Sequence, residues 1–595
     1  MREFAQPAIY TVPERANLTD PVWSAADEVP EKVTFRQPTN DGWNDVTAAQ
    51  FRDEVAGVAK GLIAGGVQPG DRIGLMARTR YEWTLVDYAI WSAGAVTVPI
   101  YETSSAEQVQ WILGDSGAVA VVVETPVHQE LVSGVRSSLP DLRELWQLDA
   151  DAVGTLTTAG ASVADDQVAA RRAALGADDV ATIIYTSGTT GRPKGCVLTH
   201  RNLLFDVGNA IPLLPSMFRE DATTLLFLPL AHAFARLIQI GAVQARVVLG
   251  HAPDIKNLLA DLGTFQPTFI LAVPRVFEKI YNSAKQKAHA EGKGAIFDRA
   301  DRVSVAYSEA LDTGGAGIGL RLEHALFDKL VYSKLRTALG GHCTHAMSGG
   351  APLGVRLSHF FRGIGLWVAE GYGLTETAPA TAVNTDAGAK IGTVGKPLPG
   401  MSVKIAEDGE ILIAGDHVFC EYWHNPEATA AALVDGFFHT GDLGALDDEG
   451  FLTITGRKKE LIVTAGGKNV APAVLEDRIR AHALVSHAMV VGDAKPFIGC
   501  VVTIDPEAFG LWKAKHNKPA DETVSGLAND ADLRQEIQNA VDDANLAVSR
   551  AEAIKVFRIL PRDFTEETGE LTPSMKLKRA VVEKEYADEI AAIYS

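Results

Sequence analysis

Apolar residues recur at two intervals along the first part of this chain, and the alternation between them sets the expected architecture. After Thr47, which with Gln50 fits a reciprocal helix cap, Phe51, Val55, Val58, Ala59 and Leu62 follow at helical spacing. Gly65 and Gly66 stop that helix, and the apolar run at 72–77 predicts a strand. A second helix carries Trp83, Val86, Ile90 and Ala93, with a strand at 96–101; a third helix at 106–113 precedes the apolar run 118–123. This rhythm predicts a mostly parallel sheet with helices on its faces. Further on, 225–236 (LLFLPLAHAFAR) reads as a strand turning at Pro229, and 267–281 (PTFILAVPRVFEKIY) as a strand followed by a helix after Pro274.

Two stretches lack this rhythm. Residues 151–178, rich in Ala, Asp and Thr, read as a variable surface connection, and 282–334 as charged helices broken by a glycine-rich hairpin at 313–319. At 456–460 an apolar strand gives way to a charged run, which places a domain boundary there: 1–458, then 459–595 as a smaller α+β domain ending in a charged helix.

A length of 595 residues implies more than one core, and 47% hydrophobic with 22% charged residues is ordinary globular composition. The net charge of −20 argues against a nucleic-acid partner, so any anionic ligand needs cations gathered locally. Four cysteines without a CxxC pair suit a reducing cytoplasm and offer no zinc framework. His342, Cys343 and His345 alternate faces on a strand and cannot converge on a metal. The first residues hold no secretory apolar core, and no run approaches the roughly 20 apolar residues that span a bilayer. Membrane contact is therefore expected to be peripheral at most.

The chemistry concentrates at 185–195, YTSGTTGRPKG, directly after the β-branched run Val180, Ile183 and Ile184. Gly188, Gly191 and Gly195 let the backbone turn N–H groups on an anion, Thr186, Ser187, Thr189 and Thr190 add donors, and Lys194 adds a charge. The spacing is not that of a Walker A loop, since Lys194 follows Pro193 and precedes Gly195. Five further clusters follow: 348–353 (SGGAPL), 370–377 (EGYGLTET), 439–444 (HTGDLG), 456–460 (GRKKE) with 466–469 (GGKN), and 571–579 (LTPSMKLKR). Taken singly, Asp442 fits a β-turn and the 456–460 run a solvated face. In the last cluster Thr572 and Pro573 predict a helix start, so Lys576 is expected within a turn of a helix N-terminus, where the dipole disfavours a cation unless an anion meets it.

Together these blocks, in this order, resemble the AMP-forming acyl-CoA synthetase, luciferase and adenylation-domain superfamily. The LPLAHAFAR, LAVPRVFEKIY, EGYGLTET and TPSMKLKR blocks are similar to its long-chain fatty-acyl-CoA synthetase branch, over residue 45 to the C-terminus. The resemblance implies an α/β fold: a large N-terminal domain of parallel-rich sheets flanked by helices, and a smaller mobile α+β C-terminal domain. It assigns Thr186, Ser187, Gly188, Thr189, Thr190, Gly191 and Lys194 to the ATP phosphates. Adenine falls to Gly349, Gly350, Ala351, Glu370, Gly371, Tyr372 and Gly373, and ribose to Asp442 and Arg457. Thr375 would approach the α-phosphate, and Glu376 with Thr186 would hold Mg²⁺. His232 would border the acyl site, where the amino-acid-activating branch carries an Asp. Lys459 would be the hinge, Gly466, Gly467 and Lys468 would meet CoA, and Lys576 would be the catalytic cation together with Lys194. The family pattern has Gly before that Lys; here it is Met575.

The implied reaction activates a long-chain fatty acid with ATP to acyl-AMP and passes the acyl group to CoA, in a monomer or homodimer. Two rivals stay open: an acyl-AMP ligase that loads a carrier protein, and a non-catalytic nucleotide-binding module.

Overall fold

Thr47 caps the helix Ala48–Ala64 as its spacing predicts: its hydroxyl accepts from the Gln50 N–H, and the Gln50 side chain accepts from the Thr47 N–H at 2.8 Å. Phe51, Val55, Val58, Ala59 and Leu62 are buried on one face, and Gly65 closes the helix. The computed structural model describes residues 1–39, 42–186, 192–254, 257–572 and 575–595.

Strands Arg72–Met76, Val96–Ile100, Ala118–Val123, Glu144–Gln147 and Val180–Thr186 lie parallel in one sheet. Lys194–Thr199 and Glu421–Tyr422 extend its edge antiparallel. In a second sheet Val33–Thr39, Val248–His251, Thr223–Leu226, Phe269–Ala272, His345–Ser348 and Trp367–Tyr372 run parallel, with short antiparallel strands at both edges. One continuous core takes Leu75 from the first sheet and Leu225 and Ile270 from the second. A third sheet, built from Glu3–Ala5, Ser402–Ile405, Glu410–Ala414, Phe437–Leu446 and Leu452–Arg457, is antiparallel. The parallel-rich expectation omitted it: Ser402–Ile405 turns directly into Glu410–Ala414, and Phe437–Leu446 into Leu452–Arg457, as antiparallel pairs that need no crossover helix.

Residues 462–595 pack around their own cores. Val485–Val491 and Ile498–Ile504 pair antiparallel, with Ile554–Ile559 parallel beside them. Alternate residues face opposite ways: Val490, Cys500 and Val502 meet the helices Pro472–Arg480 and Ala531–Asn545, while Met489, Val491 and Val501 meet Val582 and Tyr586 near the C-terminus.

The stretch 151–178 is not a loose connection. It forms the helices Ala152–Ala159 and Asp165–Ala174. Asp151 caps the first through the Gly154 N–H at 3.0 Å, and the second carries Asp165 and Asp166 in its first turn and Arg171 and Arg172 in its last, which suits the helix dipole. Small residues bring backbones together here: a Cβ on Gly61 would stand 2.2 Å from the Leu156 carbonyl oxygen. The Ala, Asp and Thr content was helix-forming and capping chemistry.

A buried ion pair ties the two mixed sheets together. Asp87, on the helix Tyr81–Ser92, pairs with Arg236, on the helix Ala233–Gln244, and their side chains are 0% and 1% exposed. Thr97 donates to Asp87 at 2.7 Å, Gln239 adds a donor at 3.2 Å, and the guanidinium stands 5.0 Å from the Trp91 ring centroid. Removing one partner strands the other charge. Asp87→Ala should therefore lower the urea unfolding free energy by about 3–5 kcal/mol, with much of it recovered in Asp87→Ala/Arg236→Met. A loss below about 1 kcal/mol would show that water reaches the guanidinium.

Candidate functional site

The strand Val180–Thr186 and the strand Lys194–Thr199 are two arms of a hairpin, with Thr186 opposite Lys194 where they diverge. Ser187, Gly188, Thr189, Thr190 and Gly191 lie outside the described residues. Around the described arms the support is aromatic. The Trp111 indole N–H donates to the Pro193 carbonyl at 2.9 Å, and Arg192 stacks over that ring at 4.7 Å. The Tyr185 hydroxyl donates to Asp115 at 2.6 Å, and the Trp423 N–H donates to the Gly195 carbonyl at 2.7 Å. The Lys194 ammonium lies 4.9 Å from the Tyr422 ring centroid, and the Tyr422 hydroxyl donates to Glu376 Oε1 at 2.8 Å. Lys194 and Glu376 thus meet through one tyrosine.

Gly349, Gly350 and Ala351 leave the strand His345–Ser348 at its carboxyl end. A Cβ on Gly349 would come within 2.9 Å of the Phe234 ring, so glycine lets that ring approach the backbone. Glu370, on the neighbouring strand, is buried and turned to this loop: the Leu353 N–H donates to one oxygen at 3.0 Å and the Ser358 hydroxyl to the other at 3.1 Å. Burial pushes its carboxyl above the usual range, with those two donors opposing. After Gly371 and Tyr372, Gly373 is fixed by contact, since a Cβ there would lie 1.6 Å from the Pro379 carbonyl oxygen. Thr375 and Glu376 follow in the short turn Thr375–Thr377.

Asp442 and Arg457 face each other across the hairpin Phe437–Leu446 and Leu452–Arg457. Arg457 Nε meets Asp442 Oδ1 at 2.9 Å, and the Tyr372 hydroxyl donates to Oδ2 at 2.8 Å. Glu410 braces the turn before them, accepting from the Gly441 N–H at 2.9 Å and from the Lys458 ammonium at 3.1 Å. His232 caps the helix Ala233–Gln244 with Nδ1 accepting from the Phe234 N–H at 3.2 Å. Burial, with Lys576 nearby, pushes its pKa down to about 3, so near neutral pH the imidazole is uncharged and carries its proton on Nε2.

Lys576 joins this group from the far end of the chain, within electrostatic reach of Arg457, Asp442, Glu376, Glu460 and His232. The expected helix start is displaced. Pro573 lies outside the described residues, Thr572 caps no helix, and the helix begins at Arg579 with Lys578 at its cap. Thr572 and Lys576 instead close a tight turn: the Thr572 N–H donates to the Lys576 carbonyl at 2.8 Å, and the Lys576 N–H to the Thr572 hydroxyl at 2.9 Å. Met575 sits inside it at φ +61°, the left-handed region that glycine occupies without strain. Arg579 anchors the turn to Glu460 at 3.6 Å and to Glu476.

Lys459 is exposed in the short turn Lys458–Glu460. The described contacts of the Gly466, Gly467 and Lys468 loop run elsewhere, to Thr464 and, through Lys468, to Glu552 at 3.3 Å. The structure therefore gathers Lys194, Glu376, Tyr372, Asp442, Arg457, His232 and Lys576 but not the 466–468 loop. Trp111, Glu410 and Arg579 were missed from sequence. Trp111 sits at core spacing on a helix, and the two charged residues carry no local mark.

Family models describe two parts of the chain: AMP-binding enzyme over residues 22–423 and AMP-binding enzyme C-terminal domain over 459–595. The chain is 55% identical to the long-chain-fatty-acid–CoA ligase FadD15 of Mycobacterium bovis across the whole of both proteins. It is 30% identical to the long-chain-fatty-acid–CoA ligase ACSBG2 of Xenopus laevis, covering 94% of this chain and 81% of that protein. Among solved structures, an anthranilate CoA ligase, AuaEII, with anthranoyl-AMP superposes at a TM-score of 0.73 and 19% identity, covering 98% and 99% of the two chains. ATP-bound MatB from Rhodopseudomonas palustris gives 0.70 and 23%, over 97% and 100%.

The electrostatics of Lys576 can be read without a substrate. Solvent reaches the side chain, but protein crowds its ammonium from most sides. Desolvation first, and Arg457 second, lower its proton affinity from the usual 10.5, against Asp442, Glu376 and Glu460. The uncharged, nucleophilic amine should therefore emerge at lower pH than in an ordinary lysine. Amine-selective labelling followed by peptide mass spectrometry should show Lys576 titrating below exposed lysines, and Arg457→Gln should move its midpoint upward. Labelling that tracks the exposed lysines would refute the crowding argument.

Proposed function

The chain belongs to the AMP-binding enzyme family, and on that premise we propose that it is a long-chain fatty acid–CoA ligase of the AMP-forming kind. The observation that carries this reading is the meeting of Lys576 with Arg457, Asp442, Glu376 and His232 from distant parts of the chain. A fatty-acid carboxylate attacks the α-phosphorus of ATP, forming acyl-AMP and releasing pyrophosphate. The CoA thiol then attacks the acyl carbon, giving the thioester and AMP while its proton passes to solvent.

The first step drives a carboxylate towards a polyanion, so positive charge must be placed there beforehand. In this reading Lys576 and Lys194 supply it, each worth roughly 3–4 kcal/mol to the transition state. Thr375 approaches the α-phosphate, and Thr186 and the 187–191 segment take the other phosphates. Adenine lies against Gly349, Gly350 and Ala351 and over Tyr372, with Gly371 and Gly373 allowing the approach and Glu370 holding the loop from behind. Asp442 and Arg457 take the ribose. His232 borders an apolar acyl channel, where each buried CH₂ contributes about 0.8 kcal/mol.

Among the described residues no three His, Cys, Asp or Glu side chains gather as a metal cage. The donors present, a Glu376 carboxylate and the Thr186 hydroxyl, are the hard oxygens that suit Mg²⁺ held jointly with phosphates and water. When bound, the ion would neutralise phosphate charge.

The second step needs the 466–468 loop at the cleft, and that loop now faces elsewhere. We place the domain boundary between residues 458 and 459, with Lys459 as the pivot about which residues 459–595 turn between the two steps. We also place the enzyme in the cytoplasm, as a monomer or homodimer, with any membrane contact peripheral. Among the described residues no helix is long and apolar enough to cross a membrane.

Pyrophosphate release and acyl-CoA formation, measured on saturated acids from acetate to icosanoate, test the reading. A maximum between laurate and stearate with CoA-dependent thioester supports it; pyrophosphate without acyl-CoA would favour a carrier-protein acceptor, and silence throughout a binding module. Lys576→Ala should cut adenylate formation a few hundredfold. It should spare thioester formation from supplied acyl-AMP. Equal loss in both half-reactions would overturn the two-orientation mechanism.

A further inference from the structure

The helix Ile318–Phe327 and the π-turn Asp328–Tyr332 after it carry an exposed apolar stripe. Ile318, Leu322, Leu326 and Leu330 are 79%, 68%, 56% and 46% exposed, at intervals of four residues. On a regular helix that spacing drifts around the axis; the wider π-turn advances less per residue and helps keep Leu330 in line. The opposite face is fully used, with Phe327 and Tyr332 buried and His324 Nε2 bonded to the Gly363 carbonyl at 2.6 Å. Single exposed aliphatic side chains are ordinary; four at regular spacing along one helical stretch are not.

Charge on the same helix is sorted by sign. Its two carboxylates are paired within the chain, Glu323 with Arg299 at 2.6 Å and Asp328 with Arg336 at 2.8 Å. Arg321 and Lys329 flank the stripe, are exposed, and among the described residues have no carboxylate within ion-pair distance. A chain of net charge −20 thus presents, beside this apolar stripe, cations without counter-ions among the described residues. Charges more than about 8 Å away are screened at physiological salt, so this local face, rather than the net charge, governs close approach.

We propose that this helix docks the protein on the surface of an anionic lipid bilayer, with Ile318, Leu322, Leu326 and Leu330 entering the acyl boundary and Arg321 and Lys329 meeting lipid phosphates. A second copy of the chain is the poorer occupant, because a two-fold contact through the stripe would bring Arg321 and Lys329 towards their own copies. A bilayer satisfies both halves of the pattern. The docking does not depend on which reaction the protein catalyses.

Vesicle flotation of the full chain tests it, with vesicles of phosphatidylglycerol and phosphatidylcholine in equal parts, or of phosphatidylcholine alone. The wild type should float with the anionic vesicles and release in high salt. Leu322→Ser/Leu326→Ser should lower the bound-to-free ratio about tenfold, and Arg321→Gln/Lys329→Gln about tenfold on anionic vesicles only. Acyl-CoA formation from a soluble acid without vesicles should match wild type in both variants, which shows that they fold and reads the reaction separately. Failure of the wild type to float, or flotation of either variant at wild-type levels, overturns the proposal. So does a wild-type dimer in sedimentation velocity that the leucine variant abolishes, which assigns the stripe to a second copy.

Discussion

Two cations that repel each other stand at the centre of this structure. Lys576 and Arg457 are close enough for each to disfavour the other's charge, in surroundings that already disfavour charge. The arrangement holds because carboxylates are placed around it: Asp442 directly on Arg457, with Glu376 and Glu460 within reach of Lys576. Each comes from a different part of the fold. Asp442 and Arg457 are set by cross-strand register, Glu376 by a short turn after Gly373, and Glu460 by the turn that begins the second part of the chain. Glu410 and Arg579 brace this frame from behind. The balance keeps two cations side by side without burying either one unpaired.

Met575 shows how tightly the Lys576 turn is specified. A bulky side chain at φ +61° costs about 1–2 kcal/mol, and glycine would avoid that cost. The conformation persists because the Thr572 and Lys576 backbones bond to each other across it and Arg579 fixes its far end. A glycine in its place would adopt the same φ without that strain.

Much of this was legible in order along the chain. The Thr47 cap, the strand–helix alternation and the glycine clusters report local requirements, so local reading finds them. Three things were not legible, for different reasons. The stretch 151–178 was read as loop because Ala, Asp and Thr serve both caps and turns, and only its packing on Gly61 shows which. The helix start after Thr572 was expected from Pro and Thr chemistry, but the Thr572 hydroxyl is taken by the Lys576 N–H instead. Trp111 and Trp423 support the hairpin of Val180–Thr186 and Lys194–Thr199 from distant points in the sequence; the Trp423 indole reaches the Asp115 carbonyl at 3.0 Å across a separation no periodicity reports.

The contacts between residues 459–595 and the rest bear on whether that part can turn. Their hydrogen bonds and ion pairs include Arg275 to Ser486 at 3.2 Å and to Asp505 at 3.5 Å, Lys279 to Glu507 at 3.8 Å, and Thr103 to Glu566. The apolar cores on the two sides share no residue. Partly exposed ion pairs of this kind are worth about 0–1 kcal/mol each and exchange readily for water. An interface of buried leucines would have held one orientation at many times that cost. A polar seam around a crowded lysine lets the same lysine be placed with care and withdrawn cheaply, and both are needed if one cleft is to serve two successive steps.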